Sequence, residues 1–172
     1  TTAYGRSKAH AAQLMNRAAA AGLDARTLRL FNVVSSPAPP RSPLEEFVNL
    51  IASSDGRSPV VVSVRNAATV RDFVPLTMAA DAIWTISLSL RRHPVVNLCS
   101  GSGVTYAALV EALATAASVD VKLLDRAEDV PVSEVVGDAR LLSSAYGINL
   151  NVGLQKLAAE AWRRDTKGSP QD

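Results

Sequence analysis

Helix-like and strand-like segments alternate along these 172 residues, and that alternation predicts an α/β fold. Two observations carry the prediction. Alanine-rich or amphipathic stretches end at glycine or basic residues, and short Val/Leu-rich runs lie between them. With 48% hydrophobic and 20% charged residues, the chain holds enough apolar material for a packed core. Its length is that of one domain, or of a piece of a larger one.

The elements follow in order. Residues 4–21 are rich in alanine, the strongest helix former, and stop at Gly22, so a helix is predicted there. Over 26–34, Leu28 and Leu30 alternate with Arg29 ahead of Phe31 and Val33-Val34, which predicts one strand buried on at least one face. Ser35 to Pro43 contains four prolines and predicts a loop. A short amphipathic helix over 44–51, a strand over 60–64, a turn at Asn66-Ala67-Ala68 and an extended piece over 71–75 come next. The helix predicted over 78–90 has Ile83, Ile86 and Leu90 at helical spacing; Thr77 can cap it, and Arg91-Arg92 suit its C-terminal dipole. A strand over 95–99, a helix over 105–117 and a strand over 121–124 complete the alternation. Asp138 is placed to cap a helix ending at Gly147, and Asn151 one running to Trp162. The polar tail 165–172 reads as frayed. Trp84 and Trp162 read as core, and Cys99 as a small buried hydrophobe.

Composition excludes several classes of function. Lys+Arg number 18 and Asp+Glu 16, a net charge of +2 spread along the chain, which is no nucleic-acid footprint. One cysteine allows neither an internal disulfide nor a Cys-cluster metal site. Apolar stretches fall short of the roughly 18 residues of a membrane span. No basic segment leads into an apolar run at the start, so no secretory signal is expected there, and a cytoplasmic location is. The sequence opens on Thr1 rather than methionine, which reads as a start inside a longer or processed chain.

Four motifs carry candidate chemistry. Tyr4 and Lys8 stand one helical turn apart on one face; an ammonium there favours a phenolate, and such a phenol can move a proton at a carbinol or carbonyl oxygen. The pair also arises by chance as an ordinary helix feature. Asn32 sits where the strand over 26–34 enters the proline loop, able to bond a ligand or simply to begin a turn. Arg71 has the planar fork that suits a diphosphate, or forms a surface pair with Asp72 that contributes little. Gly101-x-Gly103 follows a strand and precedes a helix, half of a dinucleotide fingerprint, but Tyr106 occupies its third position, so a turn and helix start is the better reading. His10 and His93 have no partner acids at ligand or triad spacing.

Taken in order, Tyr4-x3-Lys8, then Leu28-Arg29-Leu30-Phe31-Asn32-Val33-Val34, Arg71-Asp72-Phe73-Val74, and Val96-Asn97-Leu98-Cys99-Ser100-Gly101 resemble the extended short-chain dehydrogenase/reductase family, in particular its nucleotide-sugar epimerases, dehydratases and reductases. The resemblance implies the C-terminal part of a Rossmann-like parallel sheet, in about residues 1–35, with a mixed Rossmann and small substrate-binding region over about 36–172, the whole forming a single incomplete α/β domain. It implies NAD or NADP as cofactor and a nucleotide-sugar substrate. Tyr4 looks like the acid/base and Lys8 its partner and ribose ligand; Leu30 corresponds to a position beside the nicotinamide, and Asn32 and Arg71 to residues that hold the diphosphate.

The departures also carry expectations. The family's cofactor fingerprint and its catalytic Ser/Thr belong upstream of this sequence. Ser35-Ser36 stand where Gly-Pro is usual, and Thr77-Met78 where an Asp pair is usual. These features keep two other readings open: a non-catalytic remnant that binds a nucleotide sugar or a partner, and a cofactor sensor. A parallel sheet without its first strands exposes an apolar edge, so a homo-oligomer or a complementing N-terminal half is expected.

Overall fold

The computed structural model describes residues 2–55, 58–127 and 131–163, so the predicted fraying of 165–172 lies outside the described residues. Helix α1 spans Ala3–Ala20, and Thr2 caps it by accepting the Gly5 N–H at 3.1 Å. None of its side chains is buried, so its alanines hold it by propensity rather than packing. The predicted strand over 26–34 proves to be two. Strand β1 (Thr27–Leu30) pairs in parallel with β5 (Val95–Leu98), Leu30 opposite Leu98. Strand β2 (Asn32–Val34) pairs in parallel with β4 (Val70–Pro75), Asn32 opposite Phe73. The change of partner falls at Phe31, whose N–H still donates to the Leu98 carbonyl at 3.1 Å. An apolar run carries no mark of where it changes partner, so periodicity misses the switch.

Helix α2 (Pro43–Ala52) starts as its sequence dictates: Ser42 accepts the Glu45 N–H, Pro43 opens the first turn, and Glu45 and Glu46 sit at the positive end of the dipole. Strand β3 (Val60–Val64) runs parallel to β7 (Val121–Asp125), Val64 opposite Asp125. Helix α3 (Leu76–Leu88) follows β4 directly, so Thr77 lies inside it and does not cap it. Its end is held by Arg26, whose guanidinium donates to the Ile86 and Ser89 carbonyls, and Arg91 and Arg92 lie beyond. Trp84, read as core, is 67% exposed on its outer face.

Two short strands escape the sequence reading. β6 (Gly103–Thr105) is antiparallel to β4, and β8 (Glu134–Val135) parallel to it. Thr105 caps α4 (Tyr106–Ala117) through the Ala108 N–H at 3.1 Å. Helix α5 (Arg140–Tyr146) closes at Gly147, whose φ of +68° suits glycine. Helix α6 spans Leu154–Trp162. Asp138 accepts the Arg140 N–H at 2.9 Å from one residue ahead of the cap position, and Asn151 accepts the Gly153 N–H at 3.1 Å, ahead of α6.

Strands β2 and β4 separate two cores, because successive side chains on a strand face opposite ways. Val34 and Phe73 join Leu44, Phe47, Val62 and Leu109 on one side. Val33 and Val74 join Ile86, Val96, Leu98 and Leu142 on the other. Gly137 packs against Phe31 and Cys99, the residues just past β1 and β5: a Cβ there would lie 2.4 Å from the Cys99 Cβ and 2.8 Å from the Phe31 Cζ. Cys99 is fully buried, as its sequence context suggested. Replacing Gly137 by alanine should therefore destabilise the fold by about 1–3 kcal/mol through overpacking. A lowered urea midpoint is expected, and an unchanged one would show that the 137 segment can withdraw freely.

Candidate functional site

Strand β4 carries Arg71 and Asp72 to opposite faces, so they form no pair. Asp72 is completely buried. Its Oδ1 accepts the Ser100 N–H at 2.8 Å and the Ser100 hydroxyl at 2.7 Å. Its Oδ2 accepts the Gly101 N–H at 3.0 Å and the Gly137 N–H at 3.1 Å. Burial of a carboxylate is tolerable only with such a set of donors. The Asp72 carbonyl in turn accepts the Asn32 Nδ2–H at 2.8 Å, which fixes the Asn32 amide on the neighbouring strand. The Gly101-x-Gly103 motif serves this turn rather than a dinucleotide: Gly101, at φ +73°, gives its N–H to Asp72, and a Cβ on Gly103 would lie 2.5 Å from Val70.

Arg71 is held on two sides. Its Nη1 donates to the Val70 carbonyl at 2.8 Å and the Ser133 carbonyl at 2.9 Å, and its guanidinium lies 5.9 Å from the centre of the Tyr106 ring. Tyr106 meets Phe47 edge to face, centroids 5.6 Å apart. Both aromatic rings line a cavity of about 580 Å³, together with Glu46, Ser63, Arg65 and Arg126. Arg65 and Arg126 leave the carboxyl ends of the paired parallel strands β3 and β7, where the Arg126 N–H donates to the Val64 carbonyl at 2.7 Å. Open α/β sheets bind ligands at that end. Among the described residues neither arginine meets a carboxylate. Asp125 is engaged by the Ala67 N–H at 3.2 Å. The cavity is thus lined by cations in excess of the single Glu46, and it suits an anionic ligand.

Lys8 and Tyr4 share one face of α1, with the Lys8 Nζ 5.5 Å from the Tyr4 ring centre. Tyr4 is 71% exposed, and its phenol makes no hydrogen bond among the described residues. Helix α1 packs on β1, whose last residue is Leu30, 46% exposed at the carboxyl end of a parallel strand. Asn32 follows two residues later. The structure therefore joins Tyr4 to Lys8, and Asn32 to the Arg71-bearing strand, with Leu30 between the two groups along the chain. Sequence reasoning missed Asp72, Arg65, Tyr106 and Arg126. Spacing could not reveal the arginines, because the pairing of β3 with β7 joins segments roughly sixty residues apart.

Cys99 and Asp138 are shifted by their immediate surroundings. Burial, then the charge of Asp72, push the Cys99 thiol up to about 11; the Asp138 charge adds to this, and the Gly101 N–H opposes it. The side-chain and backbone N–H groups of Arg140 hold the Asp138 carboxyl down at about 2. His93 rests edge-on against Tyr146, centroids 5.8 Å apart. Among the described residues no group of three His, Cys, Asp or Glu could hold a metal, and no helix is long and apolar enough to cross a membrane.

The NAD dependent epimerase/dehydratase family matches residues 1–99, and the chain belongs to it. Its ordered motifs and parallel strands are those of the Rossmann-like, extended short-chain dehydrogenase/reductase group within which that family falls. Over 124 residues it is 32% identical to the dTDP-6-deoxy-L-talose 4-dehydrogenase (NAD(P)(+)) of Kitasatospora kifunensis, covering 71% of this chain and 39% of that protein. Its fold is that of the UDP-glucose-4-epimerase from Stenotrophomonas maltophila with bound NAD and formylated UDP-arabinopyranose. The TM-score is 0.76 at 26% identity, over 94% of this chain and 54% of that one. It also matches RMD from Pseudomonas aeruginosa complexed with NADPH, with TM-score 0.77 at 20% identity, over 92% and 53%. The chain thus spans about two fifths of the curated relative and about half of each of these solved structures.

Two outcomes are expected. Asp72→Ala, which strands three backbone N–H groups, should destabilise the chain by about 3 kcal/mol or more, whereas Ser100→Ala should cost only about 1 kcal/mol. Equal losses in chemical denaturation would show that the carboxylate is not the shared anchor. The raised Cys99 thiol contributes stability that is complete below its ordinary value of 9.0 and is lost as pH rises through about 11. Urea midpoints taken across that window should fall more steeply for the native chain than for Cys99→Ala; parallel curves would contradict this.

Proposed function

We propose that this chain supplies the proton-transfer pair and the nucleotide-sugar anchor of an NAD(P)-dependent oxidoreductase, epimerase or dehydratase acting on a nucleotide-diphosphate sugar. The observation that carries the reading is the arginine-lined cavity. Arg65 and Arg126 are unpaired by carboxylates, and Arg71 keeps its Nε and Nη2 free among the described residues. These are the donors a diphosphate needs. The relative named for a dTDP-sugar and NAD(P)(+) supports the same substrate class.

The residues on α1 and β1 fit a nicotinamide cofactor. An exposed phenol and an ammonium, both without carboxylate partners among the described residues, share one helix face, and Leu30 stands exposed at a parallel strand's carboxyl end. Tyr4 and Lys8 would hold its ribose side, and the Leu30 backbone would lie by its ring. When bound, the cofactor exchanges a hydride with a carbon of the sugar. Tyr4 would take or give the matching hydroxyl proton, with the Lys8 ammonium beside it on the same helix face. Asn32 and Arg71 grip the diphosphate, so that binding energy remote from the reacting carbon orients it. Leu14 and Met15 on α1, with Leu30, are exposed apolar positions that a complementing half or a second copy would cover.

A second reading, nucleotide-sugar binding without turnover, is favoured by one observation: Tyr4 stands exposed on a helix with no buried side chain. Turnover decides between them. In the enzyme that contains this chain, Tyr4→Phe should lower kcat on a dTDP-sugar by about 10²–10⁴-fold with little change in KM. Arg71→Ala should instead weaken sugar-nucleotide binding by about tenfold or more. Undiminished kcat in Tyr4→Phe would remove the phenol from the chemistry, and binding without turnover in the native enzyme would favour the second reading.

A further inference from the structure

We infer that Tyr106 is a positioning residue of the anion site: its ring holds the Arg71 guanidinium in place, leaving Nε and Nη2 for a bound diphosphate. The inference rests on the nucleotide-sugar reading above and assigns a role to a residue that the ordered motifs do not contain. Three contacts restrain Arg71. The Val70 and Ser133 carbonyls take both bonds from Nη1, at 2.8 and 2.9 Å, and so fix one corner of the fork. The Tyr106 ring, 5.9 Å away, sets where the plane lies.

The ring is itself immobilised. Tyr106 is the first residue of α4, and its N–H donates to the Thr69 carbonyl at 3.0 Å, one residue ahead of β4. Phe47 of α2 braces the ring edge on, at 76°. The phenolic hydroxyl makes no hydrogen bond among the described residues, so the ring rather than the hydroxyl does the holding. A long arginine side chain ordered before the ligand arrives loses less freedom on binding, which raises affinity for the group it meets. Tyr106 is half-buried at the start of α4, where its ring packs against the core beside Phe47 and also faces Arg71.

The test is calorimetric titration of the enzyme that contains this chain, native and variant, with dTDP and with thymidine, which lacks phosphates. Tyr106→Leu should weaken dTDP binding by about three- to tenfold and leave thymidine binding unchanged. Tyr106→Phe, which keeps the ring, should bind dTDP as the native enzyme does. In an Arg71→Ala background, Tyr106→Leu should add no further loss. Equal losses for dTDP and thymidine, or losses that add in the double variant, would show a wall or a structural role and overturn the inference alone. An unchanged Tyr106→Leu would do the same. A native enzyme that binds no dTDP would overturn the nucleotide-sugar reading, and this inference with it.

Discussion

The Asp72 carboxylate is fully buried, meets no cation among the described residues, and is satisfied by four donors drawn from the turn after β5 and the segment leading to α5. A charge of this kind inside a protein is costly unless its lone pairs are used, and here three of the four donors are backbone N–H groups. The consequence is mutual: the carboxylate needs the turn, and the turn needs the carboxylate. Because Asp72 also receives the Asn32 amide on its own carbonyl, the same residue ties the second half of the chain to the strand that carries Asn32. Its neighbour Arg71 points the other way by the alternation of the strand, toward Tyr106 and the cavity. One buried acid thus fixes the backbone from which the Asn32 and Arg71 side chains project.

Topology does the rest of the assembly. Leu30 closes β1, Arg65 and Arg126 lie just past β3 and β7, and each is at the carboxyl end of a parallel strand. In such sheets the carboxyl ends face the crevice where ligands bind, and the loops that follow are free to carry charge. The switch of partner at Phe31 brings the β1 and β5 pair next to the β2 and β4 pair within a single residue. The group that would meet the cofactor and the group that would meet the diphosphate are therefore held one residue apart along one continuous segment. A flexible linker between them could not hold a reacting carbon in register with a distant anchor.

Much of this was legible in the sequence, for reasons that can be stated. Helices announced themselves through alanine, serine and threonine caps and closing glycines, because those residues solve problems local to the chain. Tyr4 with Lys8, Asn32 and Arg71 stand out as candidates because motif order survives in one dimension. In the sequence Asp72 reads only as the alternative surface partner of Arg71, since nothing local distinguishes an acid facing solvent from one facing four donors supplied from positions 100, 101 and 137. Trp84 was misread as core because helical spacing gives a face but not what covers it. Arg65 and Arg126 acquire meaning only when β3 and β7 pair, and that pairing is a fact of tertiary structure.

The two halves of the site differ in how firmly they are held, and that difference bears on mechanism. Arg71 is braced by two carbonyls and an aromatic ring, and Asn32 by the backbone of β4. Tyr4 and Lys8 are braced by each other alone among the described residues, on an 18-residue helix with no buried side chain. Catalysis by a phenol requires that its oxygen sit within hydrogen-bond reach of the reacting hydroxyl, to a fraction of an ångström. In the proposed reaction that precision would have to come from packing over the exposed face of α1, where Leu14 and Met15 offer apolar surface. Under the proposed function the two halves would be separable: contacts within this chain would hold the diphosphate group, and contacts made over α1 would bring the phenol to its reacting hydroxyl.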